Sequence, residues 1–111
     1  MAYDMTLADR IRLHIGNRPD LVEKEMFGGI AFLVGGNMAV GVSGASLMVR
    51  VGKDGHDAAM TRPGARIFDM SGRPMRGWIV VDPSGFSAPG ELDRWIDEGV
   101  AHALTLPPKG G

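Results

Sequence analysis

The sequence predicts an α+β fold. It reads as one domain, a mostly antiparallel five-stranded sheet covered by helices, in the order α-β-β-β-α-β-β-α. Three observations point there. Apolar residues recur at helical spacing near both ends of the chain, in Leu7, Ile11, His14 and Ile15 and again in Leu92, Trp95, Ile96, Gly99, Val100, Ala103 and Leu104. Between those ends lie short apolar runs separated by glycine-rich turns too short for a crossover, so neighbouring strands are antiparallel. At 111 residues the chain can bury one core but cannot build a deep cleft between two domains. Runs of strands bracketed by helices then favour helices packed on a sheet.

The elements follow in order. Met5–Ile15 is the first helix; Asp4 or Thr6 can cap it, and Thr6 with Asp9 resembles a capping box. Gly16 ends it, with Pro19 just beyond. Leu13 lies off the apolar stripe and hints at a second contact surface. Residues 26–34 read as a strand, with Gly28-Gly29 inside it as a bulge or a close backbone approach. Gly35-Gly36-Asn37 is a turn. Residues 38–42 form the next strand, with Met38, Val40 and Val42 on one face and Ala39 and Gly41 on the other. After a turn over 43–46, residues 47–51 place Leu47, Val49 and Val51 opposite Met48 and Arg50. Asp54 can cap a short helix over 55–61. Residues 66–70 are the fourth strand, Ser71-Gly72-Arg73-Pro74 a turn, and 76–81 the fifth strand. The last helix begins near 87–89, where Pro89 suits a first turn. Pro107-Pro108 stops it. The domain spans 1–108, and 109–111 form a frayed tail.

Composition excludes several functions. There is no cysteine, so there is no disulfide framework, thiolate zinc site or cysteine nucleophile. The formal charge of −1 gives no global basic field for nucleic acid. Residues 50–81 carry six basic side chains (Arg50, Lys53, Arg62, Arg66, Arg73, Arg76) against three acidic (Asp54, Asp57, Asp69), hence +3. Residues 82–111 carry two basic and five acidic, hence −3. These segments either complement one another on the folded surface or offer a basic patch to an acidic partner. The N-terminus is not a signal peptide, no apolar stretch is long enough for a membrane span, and the protein reads as cytoplasmic.

No catalytic residue and no metal ligand set stands out. The glycine pairs lack the P-loop and dinucleotide patterns and suit strand geometry better. His14, His56 and His102 are far apart in sequence; His14 reads as a satisfied, partly buried histidine, His56 as solvated, and His102 as packed beside Trp95. No nucleophile elbow is present. The methionines, with Met26, Met38 and Met48 on consecutive strands, either fill the core or form an adaptable contact surface. Arg50, Arg73, Met75, Arg76 and Trp78 are the candidate protein-binding residues. Arg76 and Trp78 share strand parity and so one face, and arginine beside an aromatic is typical of interaction hot spots.

The same stretches carry a family resemblance. EKEMFGGIAFLVGGNMAVGV, then LMVRVG, then RPGARIFDMSGRPMRGWIVVDP, together with the MAYD opening, resemble the TfoX/Sxy N-terminal domain family over essentially the whole chain. Phe27, Gly28, Gly29, Arg50, Gly72, Pro74, Gly77 and Trp78 are the motif positions. The resemblance implies a fold similar to type III secretion chaperones, small α+β proteins that dimerise, and so a homodimer. It implies a link to competence regulators that act with the cyclic-AMP receptor protein, although the C-terminal helical domain of full-length members is not in this chain. It carries over no catalytic residues and no cofactor. The leading expectation is a stand-alone regulatory protein-interaction module without catalysis, its partner a transcription regulator of the cyclic-AMP receptor protein type. The alternatives are a small-ligand-binding domain or a weak direct DNA binder.

Overall fold

The structure is a computed structural model and describes residues 3–26, 28–70 and 73–108, with the side chains of Met70 and Arg73 left aside. Phe27, Gly72 and the tail over 109–111 lie outside the described residues. Three helices, α1 (Met5–Ile15), α2 (Gly52–Met60) and α3 (Glu91–Thr105), accompany six strands. These are β1 (Leu21–Met26), β2 (Gly29–Val34), β3 (Asn37–Ser43), β4 (Ser46–Arg50), β5 (Ala65–Met70) and β6 (Arg73–Val81). A 3₁₀ turn over Pro83–Phe86 precedes α3. The strands lie in the order β1-β2-β3-β4-β6-β5, and every pairing is antiparallel. The α+β reading therefore holds, with six strands in place of five.

The added strand is β1. The sequence reads residues 26–34 as one strand, but β1 ends at Met26 and β2 starts at Gly29, and these two residues pair across a tight hairpin. Gly28 takes φ 71° there. The stretch Leu21–Met26 escapes a periodicity reading because it is an edge strand: its four central residues are exposed on both faces. Gly29 is the close backbone approach expected of this pair, since a Cβ on it would lie 1.8 Å from the Val42 carbonyl oxygen.

α1 has the predicted bounds. Its cap is Asp4, whose carboxylate accepts from the Thr6 and Leu7 N–H groups at 2.9 and 3.1 Å. The Thr6–Asp9 box does not form; Asp9 instead pairs with Arg12, which also reaches Glu23 on β1. Two other helix starts are corrected. α2 begins at Gly52 and not beyond Asp54, and no side chain caps it. α3 begins at Glu91 behind Gly90, because Pro83–Phe86 is taken up by the 3₁₀ turn.

All three helices pack on one sheet face. Leu7, Ala8 and Ile11 of α1, Ala59 of α2 and Leu92, Trp95 and Ile96 of α3 meet Ile30, Phe32, Val40, Val42, Leu47, Val49, Ile79 and Val81 in one core. α3 lies very close to β3: a Cβ on Gly99 would sit 2.4 Å from the Ala39 carbonyl oxygen. This contact coincides with a bulge, where Phe32 pairs with Val40 and Leu33 with Met38, leaving Ala39 over. An extra residue reverses the side-chain alternation. Met38 therefore faces away from Val40 and Val42, correcting the single-face reading of residues 38–42.

The opposite sheet face carries a second apolar cluster. Ala31, Met38, Met48, Phe68 and Val80 are buried there beneath the partly exposed Met26, Leu33, Met75 and Trp78. Every member comes from a strand, so among the described residues no helix joins this cluster. Met38 and Met48 both close over Gly41, which has no side chain to hold them off.

Candidate functional site

A cleft of about 670 Å³ opens where the two layers meet. It is bordered by the end of β4, the first turn of α2, the middle of β6 and the last turn of α3, and its lining includes Arg50, Lys53, Asp54, Arg76, Trp78 and His102. Three of the five predicted binding residues thus come together. Met75 lies on the helix-free face nearby. Arg73 contributes no described side chain.

Two glycines make the floor. Gly52 has φ 82° and Gly77 φ 93°, both in the left-handed region. A Cβ on Gly77 would lie 2.9 Å from the Gly52 carbonyl carbon and 3.1 Å from the Lys53 nitrogen. One on Gly52 would run into the His102 ring. The Val51 N–H donates to the Gly77 carbonyl at 2.8 Å, which locks the two strands at this point. From below, the Gly77 N–H donates to Nδ1 of His56 at 3.0 Å. His56 is therefore buried and satisfied, not solvated, because α2 begins earlier than its sequence suggests and turns this ring inward.

The pairing of β6 also changes where its side chains go. Ile67 of β5 pairs with Ile79, but Phe68 pairs with Met75, so residues 76–78 are looped out of that ladder. Arg76 consequently reaches back to Asp57 on α2 at 3.1 Å. Trp78 turns to the other side and packs on Phe68, with ring centroids 6.2 Å apart. Parity does not place Arg76 and Trp78 on one face, since Arg76 pairs with α2 and Trp78 joins the helix-free cluster, yet both line the cleft. The Arg76 guanidinium holds the Asp57 carboxyl below its usual range, through hydrogen bonding first and charge second.

Arg50 sits opposite Trp78 in the β4–β6 ladder, and its guanidinium carbon lies 5.0 Å from the centre of the Trp78 ring. The charge imbalance seen along the chain is partly neutralised. Arg62 pairs with Glu91 and Glu98, and Arg66 with Asp82. Neither Arg50 nor Lys53 has an ion pair among the described residues.

Sequence reasoning missed Lys53, Gly52 and His102 as parts of one site. Gly52 and Gly77 both sit in motif stretches, but only the fold shows that they touch. The His102 ring lies against Gly52. His14 is satisfied, by the α3 carboxylates Asp97 at 2.8 Å and Asp93 at 3.4 Å, but it is exposed and not partly buried.

Burial pushes the His102 imidazole below its ordinary value of 6.5, with Arg50 adding to the shift and Asp54 opposing it. The folded state then binds fewer protons than the unfolded chain just below that pH. His102 should therefore cost nothing above about pH 6.5 and destabilise the fold as pH falls through its depressed pKa. Urea midpoints of wild type and His102→Asn, compared from pH about 7 down to about 5, check this. A variant with the same acid slope as wild type would show that this ring is not linked to folding.

Fold and site together define a two-layer α+β domain with a basic cleft where helices and sheet meet. The model of the TfoX N-terminal domain matches residues 15–103, and the chain belongs to that family. This is a family of regulatory, competence-related domains and not a known enzyme family. No curated protein and no solved structure matches the chain. Among the described residues, no helix is long and apolar enough to cross a membrane.

Proposed function

We propose that the chain is a regulatory protein-interaction module that docks a protein partner through the helix-free face of its sheet. One observation carries this reading. Met26, Met38, Met48 and Met75 converge from four different strands beside Trp78, on a face that no helix joins among the described residues. Thioether side chains repack readily against a partner. Trp78, with Arg50 over its ring, forms an aromatic–arginine pair at the border of that surface, the residue types enriched in interface hot spots. The partner we propose from the family is a transcription regulator of the cyclic-AMP receptor protein type, bound in competence-type co-activation.

Capture of such a regulator by the purified domain tests this, with Trp78→Ala and Met75→Ser as the variants. Loss of a hot spot costs at least about 2 kcal/mol, so capture should weaken roughly thirtyfold or more for Trp78→Ala. Melting temperatures measured alongside separate weakened docking from weakened folding. Undiminished capture by both folded variants would remove the helix-free face as the contact surface.

A further inference from the structure

The cleft adds Lys53, Arg76 and His102 to the Arg50–Trp78 pair at the border of the docking surface. Arg50 and Lys53 line it without a carboxylate partner among the described residues, and Arg76 adds a third cation. Asp57, the partner of Arg76, is itself largely exposed, so that pair is solvated and exchangeable. Among the described residues the cleft holds one lining carboxylate, Asp54, against three permanent cations. Its volume of about 670 Å³ falls in the range of small-molecule sites. The His102 imidazole and the Trp78 ring supply aromatic surface to the lining.

We propose that this cleft binds a small phosphate-bearing ligand, a phosphate monoester on an organic body of about nucleoside size. Arginine forks match phosphate oxygens, and a lysine adds a compact third charge. A phosphate dianion uses all three cations, whereas a single carboxylate leaves most of that charge uncompensated. The rest of the space, with an imidazole and an indole in its lining, suits a flat or sugar-like body. An extended polyanion is disfavoured. The chain's net charge is −1, so it offers no global basic field to a long polyanion. The cleft shares Arg50 and Trp78 with the border of the helix-free face, whereas Lys53, Asp54 and His102 belong to α2 and α3 and separate the two readings.

The test is an amide-resolved NMR titration of the full chain at low salt. The probes are inorganic phosphate, adenosine monophosphate and adenosine, with a short DNA duplex and an acidic peptide as competitors. Saturable shifts are expected at the amides of Gly52, Lys53 and Gly77 and on the His102 ring, with the monophosphate tighter than inorganic phosphate and adenosine silent. Lys53→Ala should weaken the monophosphate about tenfold or more, through loss of one charge-assisted contact. Asp54→Asn should tighten it by removing the one opposing charge. Both positions are exposed, so the fold should survive each change, and melting curves verify that. The proposal is overturned by absent or non-saturating shifts, by equal binding of adenosine, by equal affinity of Lys53→Ala, or by tighter binding of the duplex or the peptide.

Discussion

Trp95→Ala is expected to lose about 3–5 kcal/mol of folding stability, the cost of truncating a buried large aromatic. Trp95 is fully buried between α3 and the sheet. Its indole N–H donates to the Gly85 carbonyl at 3.3 Å, which ties α3 to the 3₁₀ turn. Over its ring, 3.5 Å from the centroid, lies the guanidinium carbon of Arg62. Arg62 in turn pairs with Glu91 and Glu98, so one side chain clamps the α2–β5 connection onto α3. Truncation empties the middle of the core and removes the platform of that clamp at once. Urea unfolding should show a lower midpoint with an unchanged slope. Trp95→Phe keeps most of the ring and should cost much less. A Trp95→Ala loss below about 1 kcal/mol would mean that the cavity collapses, contrary to the packing described.

The second large effect is expected at Gly77. Alanine there must hold φ 93°, and its methyl would press on backbone atoms of Gly52 and Lys53 that cannot swing aside. Left-handed strain of about 1–2 kcal/mol and overpacking of about 1–3 kcal/mol should act together. The result is a total loss of about 2–5 kcal/mol. The expected damage is also local. Gly77 bonds both to Val51 and to His56, so separation of β6 from α2 should open the cleft and expose His56. Hydrogen exchange at the Val51 and Gly77 amides should accelerate more than at the Phe32 amide in the core. Uniform acceleration, or a stability equal to wild type, would contradict this account of the floor.

These two residues differ in how far the sequence reveals them. Trp95 lies on an unbroken helical stripe, and its burial could be read directly. Gly77 reads as a glycine in a strand, and its constraint comes from Gly52, which belongs to an element that the sequence places later, after Asp54. The same divide runs through the site. Arg50 and Trp78 are recognisable by residue type, and Arg50 by its alternation in β4. The shared parity of Arg76 and Trp78 fails because residues 76–78 loop out of the β5 ladder. Met38 fails in the same way at the Ala39 bulge. A bulge changes the period by one residue or more and leaves no hydrophobic signature, so alternation cannot report it.

The local pattern of apolar residues, glycines and prolines settled by itself the α+β class, the bounds of α1, the β2–β3 hairpin at Gly35-Gly36 and the helical stripe of α3. Each depends on contacts within a few residues, where conformational preference and burial agree. Tertiary structure decided the rest. It made a strand of Leu21–Met26 by giving it a partner, and turned His56 inward onto Gly77. It gathered four methionines on one sheet face, and it brought Arg50, Lys53, Arg76 and His102 around a common cleft. Those outcomes depend on which backbone lies against which, and two distant glycines touching at Gly52 and Gly77 is a fact of packing that no stretch of sequence contains.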